Sequence, residues 1–448
     1  MSRHTVAPAP TLRDAFTALG TARGRQDPYP LYEAIRSHGD TAWLKPGRLV
    51  VVGYEECDRA LRDTRLHVQD AAGYDATSPG WRDHSSLRAF TSSMLYSNPP
   101  DHARLRAVAG FAFAPPKIRR LRSVIEGMAD RLLDRMAALG AGGSPVDLIA
   151  EFASRLPVAV ISALLGFPEE DQVWFRDMAS TVAVSTDGFG DPAALERADR
   201  AMDEMTAYFT ELVDRRRRDP HDDLVTLLTR VHDGDPRRLG HDELMGMLMV
   251  LLTAGFETTS FLIGHGAMLA LERTAFAGRL RAEPDFAPRY VEEILRFEPP
   301  VHVTSRRAAT DTELLGAPVP AGTRLTLILA AANRDPRRFA DPGRFDPDRP
   351  DNRPLSFGAG GHFCLGAPLA RLEAQIALPR LFARFPRLAA TEPPVYRDRW
   401  VVRGLDTFAV AVAGSAPGRP SPSAPTRASP GAAAGQVRGE ARRGPCLG

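Results

Sequence analysis

Cys364 lies in a segment whose composition suits the display of a reactive thiolate. The segment from 355 to 371 reads LSFGAGGHFCLGAPLAR, and its four glycines let the backbone turn tightly and approach a flat ligand closely. We expect a helix to begin at Cys364, where free N–H groups and the helix dipole favour a thiolate. A small, buried, unreactive cysteine is the alternative. A phosphate-binding turn does not fit, because Phe363 replaces the third glycine of the dinucleotide fingerprint and the Walker lysine is missing.

A second chemical pattern lies in the most apolar part of the chain. Residues 254–259 read AGFETT, inside a stretch whose apolar residues predict a helix from His241 to Leu271, about 45 Å long, that crosses the interior. An acid and a hydroxyl, Glu257 and Thr258, cost free energy in such a helix unless they are satisfied. This pair therefore favours a functional role over simple packing.

The spacing Phe357-x-x-Gly360-x-x-x-Cys364-x-Gly366 resembles the haem-binding loop of the cytochrome P450 family. Three other segments resemble family motifs in the same order: AGFETT at 254–259, EILR at 293–296, and ANRDP at 332–336 followed by DPGRF at 341–345. Gly343 departs from the family, which usually has a polar residue there. The resemblance covers roughly residues 25–412. It implies a mainly α fold with a small β portion, in one large domain that holds haem b between the long central helix and the cysteine loop.

The resemblance assigns the residues around the haem. Cys364 is the expected iron ligand, and a thiolate there favours cleavage of the O–O bond. The other contacts of the haem and its thiolate are expected from Phe357, Gly358, Gly366 and Ala254.

The two haem propionates need cationic partners. His102 and Arg106 lie four residues apart on one predicted helical face and match the family's propionate-binding helix. His362 and Arg306 match the other propionate positions, with Arg307 as a rival for Arg306. A buried ion network of Glu293 and Arg296, with Arg334 or Arg344, is expected to support the haem loop.

Glu257 and Thr258 resemble the acid–alcohol pair with which the family activates dioxygen, so O2 is the expected co-substrate. The chain contains no flavin or nicotinamide fingerprint, so we expect ferredoxin and a ferredoxin reductase to supply electrons. The predicted function is hydroxylation or epoxidation of a medium-to-large, mainly apolar small molecule, in the tailoring of a polyketide-like secondary metabolite. The alternatives are an oxidative coupling or cyclising enzyme and a haem-thiolate sensor that turns nothing over.

The substrate prediction depends on segments that line the pocket in the family. They mix apolar and polar side chains here, which suits an apolar molecule bearing some oxygens. These segments are 66–98, 170–195, 250–254, 301–304 and 405–408.

The elements that must position these residues are mostly helices. Periodicity and turn residues predict helices at 31–37, 101–113, 118–139, 147–165, 169–183, 193–217, 223–231, 241–271, 287–297 and 364–385. Strand-like pieces are predicted at 43–53, 303–308, 312–315, 324–327 and 400–412, and a long loop around a short helix at 66–98. We expect a flexible arm at 1–25, a haem-thiolate domain at 26–413 and a disordered tail at 414–448, which is dominated by Gly, Ala, Ser and Pro.

Composition restricts the possible partners. The 448 residues include 57 Lys+Arg and 55 Asp+Glu, a net charge of +2, which gives no electrostatic reason to bind nucleic acid or a membrane surface. Three cysteines exclude a disulfide scaffold. The N-terminus lacks the apolar core of a signal peptide, and the 13-residue apolar run from Leu244 to Phe256 is too short for a membrane span. We therefore expect a soluble, cytoplasmic monomer.

Overall fold

The computed structural model describes residues 10–187 and 192–412. Helices dominate these residues. They are α1 Leu12–Ala18, α2 Ala22–Gln26, α3 Tyr29–Arg36, α4 Tyr54–Arg62, α5 Ala71–Thr77, α6 Ser85–Thr91, α7 Asp101–Gly110, α8 Pro115–Arg120, α9 Arg122–Leu139, α10 Arg155–Leu165, α11 Gln172–Ala183, α12 Pro192–Arg218, α13 Leu224–Gly234, α14 His241–Glu272, α15 Thr274–Ala282, α16 Phe286–Phe297, α17 Leu329–Ala332 and α18 Ala367–Arg384. Short 3-10 turns occur at Trp81–Asp83, Met94–Tyr96, Glu169–Asp171, Val184–Asp187 and Gly360–His362, and a π-helical turn at Ile149–Ala153.

The β portion is small. Its strands are β1 Thr41–Lys45, β2 Arg48–Val51, β3 Leu66–His67, β4 Val146–Asp147, β5 Val303–Ala308, β6 Thr312–Leu314, β7 Ala317–Val319, β8 Arg324–Ile328, β9 Ala389–Ala390, β10 Val395–Tyr396, β11 Leu405–Thr407 and β12 Ala409–Ala411. The main sheet has the order β1-β2-β8-β5-β3, in which only β2 and β8 are parallel. Smaller sheets pair β4-β12-β9, β10-β11 and β6-β7.

Helix α14 forms the centre of the helical part. It has the length and hydropathy of a membrane span, but 83% of its most apolar 18-residue window is buried inside the protein, as in the core helix of a soluble protein. A glycine lets its neighbours approach closely, because a Cβ at Gly266 would lie 2.7 Å from Leu378 of α18 and 2.8 Å from Ile294 of α16. The predicted long interior helix is therefore present and firmly packed.

The N-terminal region differs from the flexible arm expected at 1–25. Residues 12–26 form α1 and α2, and Thr11 caps α1 in a capping box with Asp14. Ala15 and Leu19 are buried in an apolar cluster that includes Tyr32. The polar composition concealed an apolar face at helical spacing, which supplies the burial that orders the segment. Residues 1–9 and the predicted tail at 414–448 lie outside the described residues.

The final long helix begins later than predicted. Helix α18 starts at Ala367 with Gly366 as its N-cap residue, so Cys364 lies in the preceding loop rather than in the first turn. Pro368 explains the shift, because its fixed φ angle suits the first turn of a helix and its missing N–H costs nothing there. The segment 66–98 contains two short helices, α5 and α6, where one was expected.

Candidate functional site

The cysteine loop, residues 355–366, is held by its own backbone. The Cys364 N–H donates to the Phe357 carbonyl at 2.9 Å, and the Gly358 N–H donates to the Leu355 carbonyl at 2.8 Å. Gly358 and Gly360 have φ angles of +70° and +68°, which side chains rarely adopt. A Cβ at Gly360 would lie 2.7 Å from the carbonyl oxygen of Leu61, so this glycine serves the packing of the loop against α4.

The thiol of Cys364 lies in surroundings with opposing electrostatic effects. Burial raises the pKa of the thiol, whereas N–H groups of Gly366 and Ala367 and the charges of Arg106 and Arg371 act to lower it. The net direction is upward, and a metal ion in contact with the sulfur would act in the same direction as the two arginines to lower the pKa. The backbone N–H groups expected to bond the sulfur are present at the start of α18.

Phe357 lies within the cysteine loop. Its ring stacks under the guanidinium of Arg371, 4.5 Å from the ring centroid. Arg371 also bonds Glu292 of α16 at 2.5 Å, which fixes both groups. The sequence carried no signal for Arg371, because its partners lie 14 and 79 residues away along the chain.

Four basic side chains form what we call the basic cluster: His102, Arg106, Arg306 and His362. The rings of His102 and His362 stack with centroids 3.9 Å apart. Arg306 is only 5% exposed, and its guanidinium bonds just the Ser305 carbonyl, at 2.8 Å. Among the described residues, no carboxylate forms an ion pair with any member. The cluster therefore holds two guanidinium groups and two imidazoles in partly buried surroundings, where an anion would stabilise the charged forms.

The electrostatics show that the cluster members act on each other. Burial, and then the charges of His102, Arg306 and Arg106, lower the pKa of His362 to about 3. Burial together with Arg106 and Arg306 also lowers the pKa of His102. Burial alone lowers the pKa of Arg306 to about 10. All four residues predicted to bind propionates thus lie together.

The alternation of side chains along β5 favours Arg306 over Arg307 as the member of the basic cluster. Successive residues of a strand point to opposite faces of its sheet. Arg306 acts on His102 and His362 and belongs to the basic cluster. Arg307 lies on the opposite face, in register with Arg324 of β8 and His67 of β3.

The AGFETT segment is the most accessible part of the otherwise buried helix α14. Ala254 is exposed and Gly255 and Thr258 are partly exposed, although the residues on either side of the segment are buried. Exposure in the middle of an interior helix marks the border of an internal space. The Thr258 Oγ1 donates to the Ala254 carbonyl at 3.2 Å, and the buried Thr259 Oγ1 donates to the Gly255 carbonyl at 3.4 Å.

Glu257 is buried and held by two arginines that the sequence analysis missed. Arg399 Nη1 bonds both carboxylate oxygens, at 3.1 and 3.0 Å, and Arg397 Nη1 bonds Oε1 at 3.0 Å. Arg399 also donates to the carbonyl of Ala183, at the end of α11. Both arginines lie about 140 residues beyond Glu257, so only the three-dimensional structure reveals the network.

The Glu293–Arg296 pair is fully buried, as expected. The additional arginine near the Glu293 carboxylate is Arg349, whereas Arg334 or Arg344 was expected. Arg296 bonds Glu293 at 2.6 and 2.8 Å, and Arg349 approaches the same carboxylate at 3.7 Å. Arg344 contributes only its carbonyl to Arg296. Arg334 instead stacks on Tyr29 and donates to the Phe297 carbonyl.

The segments predicted to line the substrate pocket differ in how far their side chains are exposed. Leu95 and Val184 are 45% and 38% exposed, which is unusual for large apolar side chains. His302 is buried with its Nδ1 bonded to the Tyr32 hydroxyl at 2.8 Å, and it lines a small cavity with Leu19 and Trp400. The side chain of Thr186 lies outside the described residues.

Comparison with known proteins places this geometry in a family. A cytochrome P450 family profile matches residues 191–402. The chain is 37% identical to 6-deoxyerythronolide B hydroxylase of Saccharopolyspora erythraea, over 85% of this chain and 92% of that protein. It is 38% identical to the cytochrome P450 monooxygenase PikC of Streptomyces venezuelae, over 86% of this chain and 91% of that protein.

Solved structures agree with the relatives. The ligand-free structure of CYP164A2 from Mycobacterium smegmatis has a TM-score of 0.79 and 36% identity, covering 89% of this chain and all of that one. Myxobacterial CYP267B1, solved with myristic acid, has a TM-score of 0.80 and 37% identity over the same share of this chain. These likenesses confirm the predicted mainly α fold with a small β portion. The chain belongs to the cytochrome P450 family.

Proposed function

We propose that this protein is a haem-thiolate monooxygenase that hydroxylates or epoxidises a mainly apolar small molecule. The observation that carries the proposal is the basic cluster beside the cysteine loop, which lacks an acidic partner among the described residues. The catalytic unit is residues 26–413, and the proposed molecule is a cytoplasmic monomer. As a family member, the protein uses haem and dioxygen.

The residues present fit haem b. His102, Arg106, Arg306 and His362 would hold the two propionates of haem b, and Cys364 would hold its iron as a thiolate. Gly358 and Gly366 keep the loop compact beside Phe357. Ala254 offers a small side chain where α14 borders the internal space. Bound haem supplies the redox chemistry of oxygen activation, which a thiolate ligand promotes.

Thr258 and Glu257 are the proposed proton-handling residues. The Thr258 hydroxyl donates a hydrogen bond to the Ala254 carbonyl at the edge of the internal space. A rotation of the Thr258 side chain makes the hydroxyl a donor toward that space. Glu257 is next to it and is paired with Arg397 and Arg399, each at 3.0 Å. Glu257 can relay a proton to Thr258 only after it has left the arginines and taken up a proton from water, so the two arginines set its availability.

The proposed substrate is a medium-to-large apolar molecule with some oxygens, of the polyketide type. Leu95 and Val184 present apolar surface in the segments where the family contacts substrate. The name of one relative, 6-deoxyerythronolide B hydroxylase, supports this class of substrate. Another structural neighbour, the P450 enzyme PksS of Bacillus subtilis, is named for the bacillaene polyketide synthase.

Electrons are proposed to arrive from ferredoxin and its reductase at a basic patch beside the cysteine loop. The patch consists of Phe111, Lys117, Arg119 and Arg120, all exposed, with Phe111 at 70%. Phe113 connects it to the loop, because a Cβ at Gly366 would lie 4.0 Å from the Phe113 ring. An exposed aromatic side chain among cations suits an acidic partner surface.

Charge reversal tests the electron-donor patch. In the variant Arg119→Glu/Arg120→Glu, we expect reduction by ferredoxin at low salt to slow by about tenfold or more, because steering of the acidic partner is lost. Reduction by dithionite serves as the control and is expected to stay unchanged. Equal rates of ferredoxin reduction in wild type and variant would contradict this docking site.

Turnover tests the function itself. The purified holoenzyme, supplied with ferredoxin, ferredoxin reductase, NADPH and a panel of macrolide-type and fatty-acid substrates, should shift its haem spectrum on binding and insert one oxygen atom from O2. Mass spectrometry of products formed under ¹⁸O2 detects that atom. Coupled or cyclised products without ¹⁸O would support the coupling alternative. Binding without any oxidised product across the panel would support a sensor.

A further inference from the structure

A row of basic residues crosses the main sheet at one register, away from the basic cluster. Each of its five strands contributes one residue, and each residue is the Cα partner of the next. In sheet order they are Lys45 on β1, Arg48 on β2, Arg324 on β8, Arg307 on β5 and His67 on β3. The proposed oxygenase chemistry uses none of them.

The three central arginines project to one face. Residues directly opposite each other on neighbouring strands share a face, and the strands lie about 4.8 Å apart. Arg48 and Arg307, on either side of Arg324, are therefore about 10 Å apart at the backbone. Burial and the charge of Arg324 lower the pKa of Arg48, which shows that the two guanidinium groups interact.

This arrangement costs stability unless it has a counter-charge. Like charges directly opposite in a sheet are destabilising. Among the described residues, no carboxylate pairs with Arg48, Arg307 or Arg324. The Nε atoms of Arg48 and Arg307 are buried without a hydrogen-bond acceptor, and Arg48 contacts only the ring of Phe16 as a cation–π partner, at 5.6 Å. Other surface arginines do have an acidic partner. Arg59, for example, bonds Glu55 at 2.8 Å.

We infer that Arg48, Arg307 and Arg324 form a binding site for a phosphorylated ligand of the diphosphate type. Guanidinium groups bind phosphate oxygens in a two-pronged geometry, and three of them in a row offer more donors than one carboxylate can accept. Two linked phosphates can span the row and neutralise it. Tyr74 of α5 lies close enough for the charge of Arg324 to act on its hydroxyl, so α5 borders the site. This inference goes beyond the proposed function and does not depend on it.

Calorimetry with inorganic pyrophosphate tests the site on the holoenzyme. At fixed ionic strength, we expect saturable binding with one site per chain. The triple variant Arg48→Gln/Arg307→Gln/Arg324→Gln should bind at least about tenfold more weakly, because charged hydrogen bonds are lost. Inorganic phosphate, with half the length, should bind wild type more weakly than pyrophosphate.

A matched triple variant separates a built site from general attraction to positive charge. Arg59→Gln/Arg62→Gln/Arg237→Gln removes the same charge from arginines that are paired with acids, and its pyrophosphate affinity should stay within about twofold of wild type. The single variant Arg324→Gln, at the exposed centre of the row, provides the test if the first triple variant does not fold. Absence of saturable binding to wild type, or equal losses in both triple variants, would overturn the site. The haem spectrum, recorded in parallel, reports separately on the proposed oxygenase.

Discussion

At the scale of single residues, the site depends on charges that the chain itself leaves unbalanced. Burial opposes the ionisation of Cys364, and the basic cluster has no carboxylate among the described residues. One ligand with a cationic centre and two anionic groups satisfies both conditions. The costs of a buried thiolate and of buried cations are therefore offset by the same event, the binding of haem.

Arg306 is predicted to contribute to the affinity for haem, whereas Arg307 is predicted to make no such contribution. Arg306→Gln removes a buried guanidinium whose single hydrogen-bond partner among the described residues is the Ser305 carbonyl, so haem should be lost roughly 10- to 100-fold faster, as for a lost charged hydrogen bond of about 1.5–3 kcal/mol. Arg307→Gln, on the other face of β5, is the matched control. Transfer of haem to a scavenging apoprotein measures both rates, and equal loss rates would contradict the assignment.

Thr258 is predicted to govern the coupling of electron use to product formation. Thr258→Ala should still bind haem and substrate and consume NADPH, while product falls by about 10²-fold or more and hydrogen peroxide rises, since a placed proton donor is lost. Thr259→Ala is the control, because its hydroxyl is buried about 100° further around α14. Peroxide and product are measured per NADPH. Unchanged coupling in Thr258→Ala would contradict the proton role.

At the scale of elements, the segment from 396 to 403 connects three parts of the fold. Arg397 and Arg399 hold Glu257 of α14, while Arg403 bonds Glu298 at 2.6 Å and the carbonyls of Arg25 and Gln26. The N-terminal helices thus share a buried polar network with the segment that holds the acid of the proposed proton route.

This network is predicted to make the fold sensitive to acid. Burial opposes the charge of Glu298, but Arg403 and its neighbours lower the pKa of the carboxyl to about 2, and burial lowers the pKa of His265 to about 4. The folded state therefore binds these protons less readily than the unfolded chain. Stability should fall between pH 6.5 and 4 through His265 and between pH 4.5 and 2 through Glu298, the latter by about 3 kcal/mol.

Urea unfolding of the holoenzyme at a series of pH values measures that sensitivity. Glu298→Gln should lower stability at pH 7 by about 3–5 kcal/mol, because Arg403 is left as an unpaired buried charge. The difference from wild type should shrink as the pH falls from 4.5 to 2, because the unfolded wild-type chain protonates Glu298 over this range while the folded protein does not. A difference that stays constant from pH 7 to pH 3 would contradict the assigned pKa.

Element types could be predicted from the sequence better than the points where they begin. The apolar run of α14 and the turn residues between helices predicted most of the helical part. Two predictions differed for local reasons. Pro368 moved the start of α18 beyond Cys364, and the polar residues of 12–26 concealed an apolar face that packs near Tyr32.

At the scale of the whole molecule, the sequence motifs identified the contributors to the site but not the residues that hold them. Cys364 and the AGFETT segment lie in short local patterns, whereas the members of the basic cluster were predicted from the family resemblance. Arg397, Arg399, Arg371 and Arg349 were missed, since each reaches its partner across 50 to 140 residues of chain. Arginine is so common in this chain that composition alone could not single them out.

The spectrum of the reduced carbon monoxide complex tests the central claim, a cysteine thiolate on haem iron, most directly. Wild-type protein should give the red-shifted Soret band of a thiolate-ligated haem, because Cys364 is the described cysteine within the glycine-lined loop, whereas Cys57 is buried against the main sheet. Cys364→His should retain a bound haem but lose that band, and Cys57→Ser should keep it. Persistence of the thiolate band in Cys364→His, or its absence from wild type loaded with haem, would contradict the account.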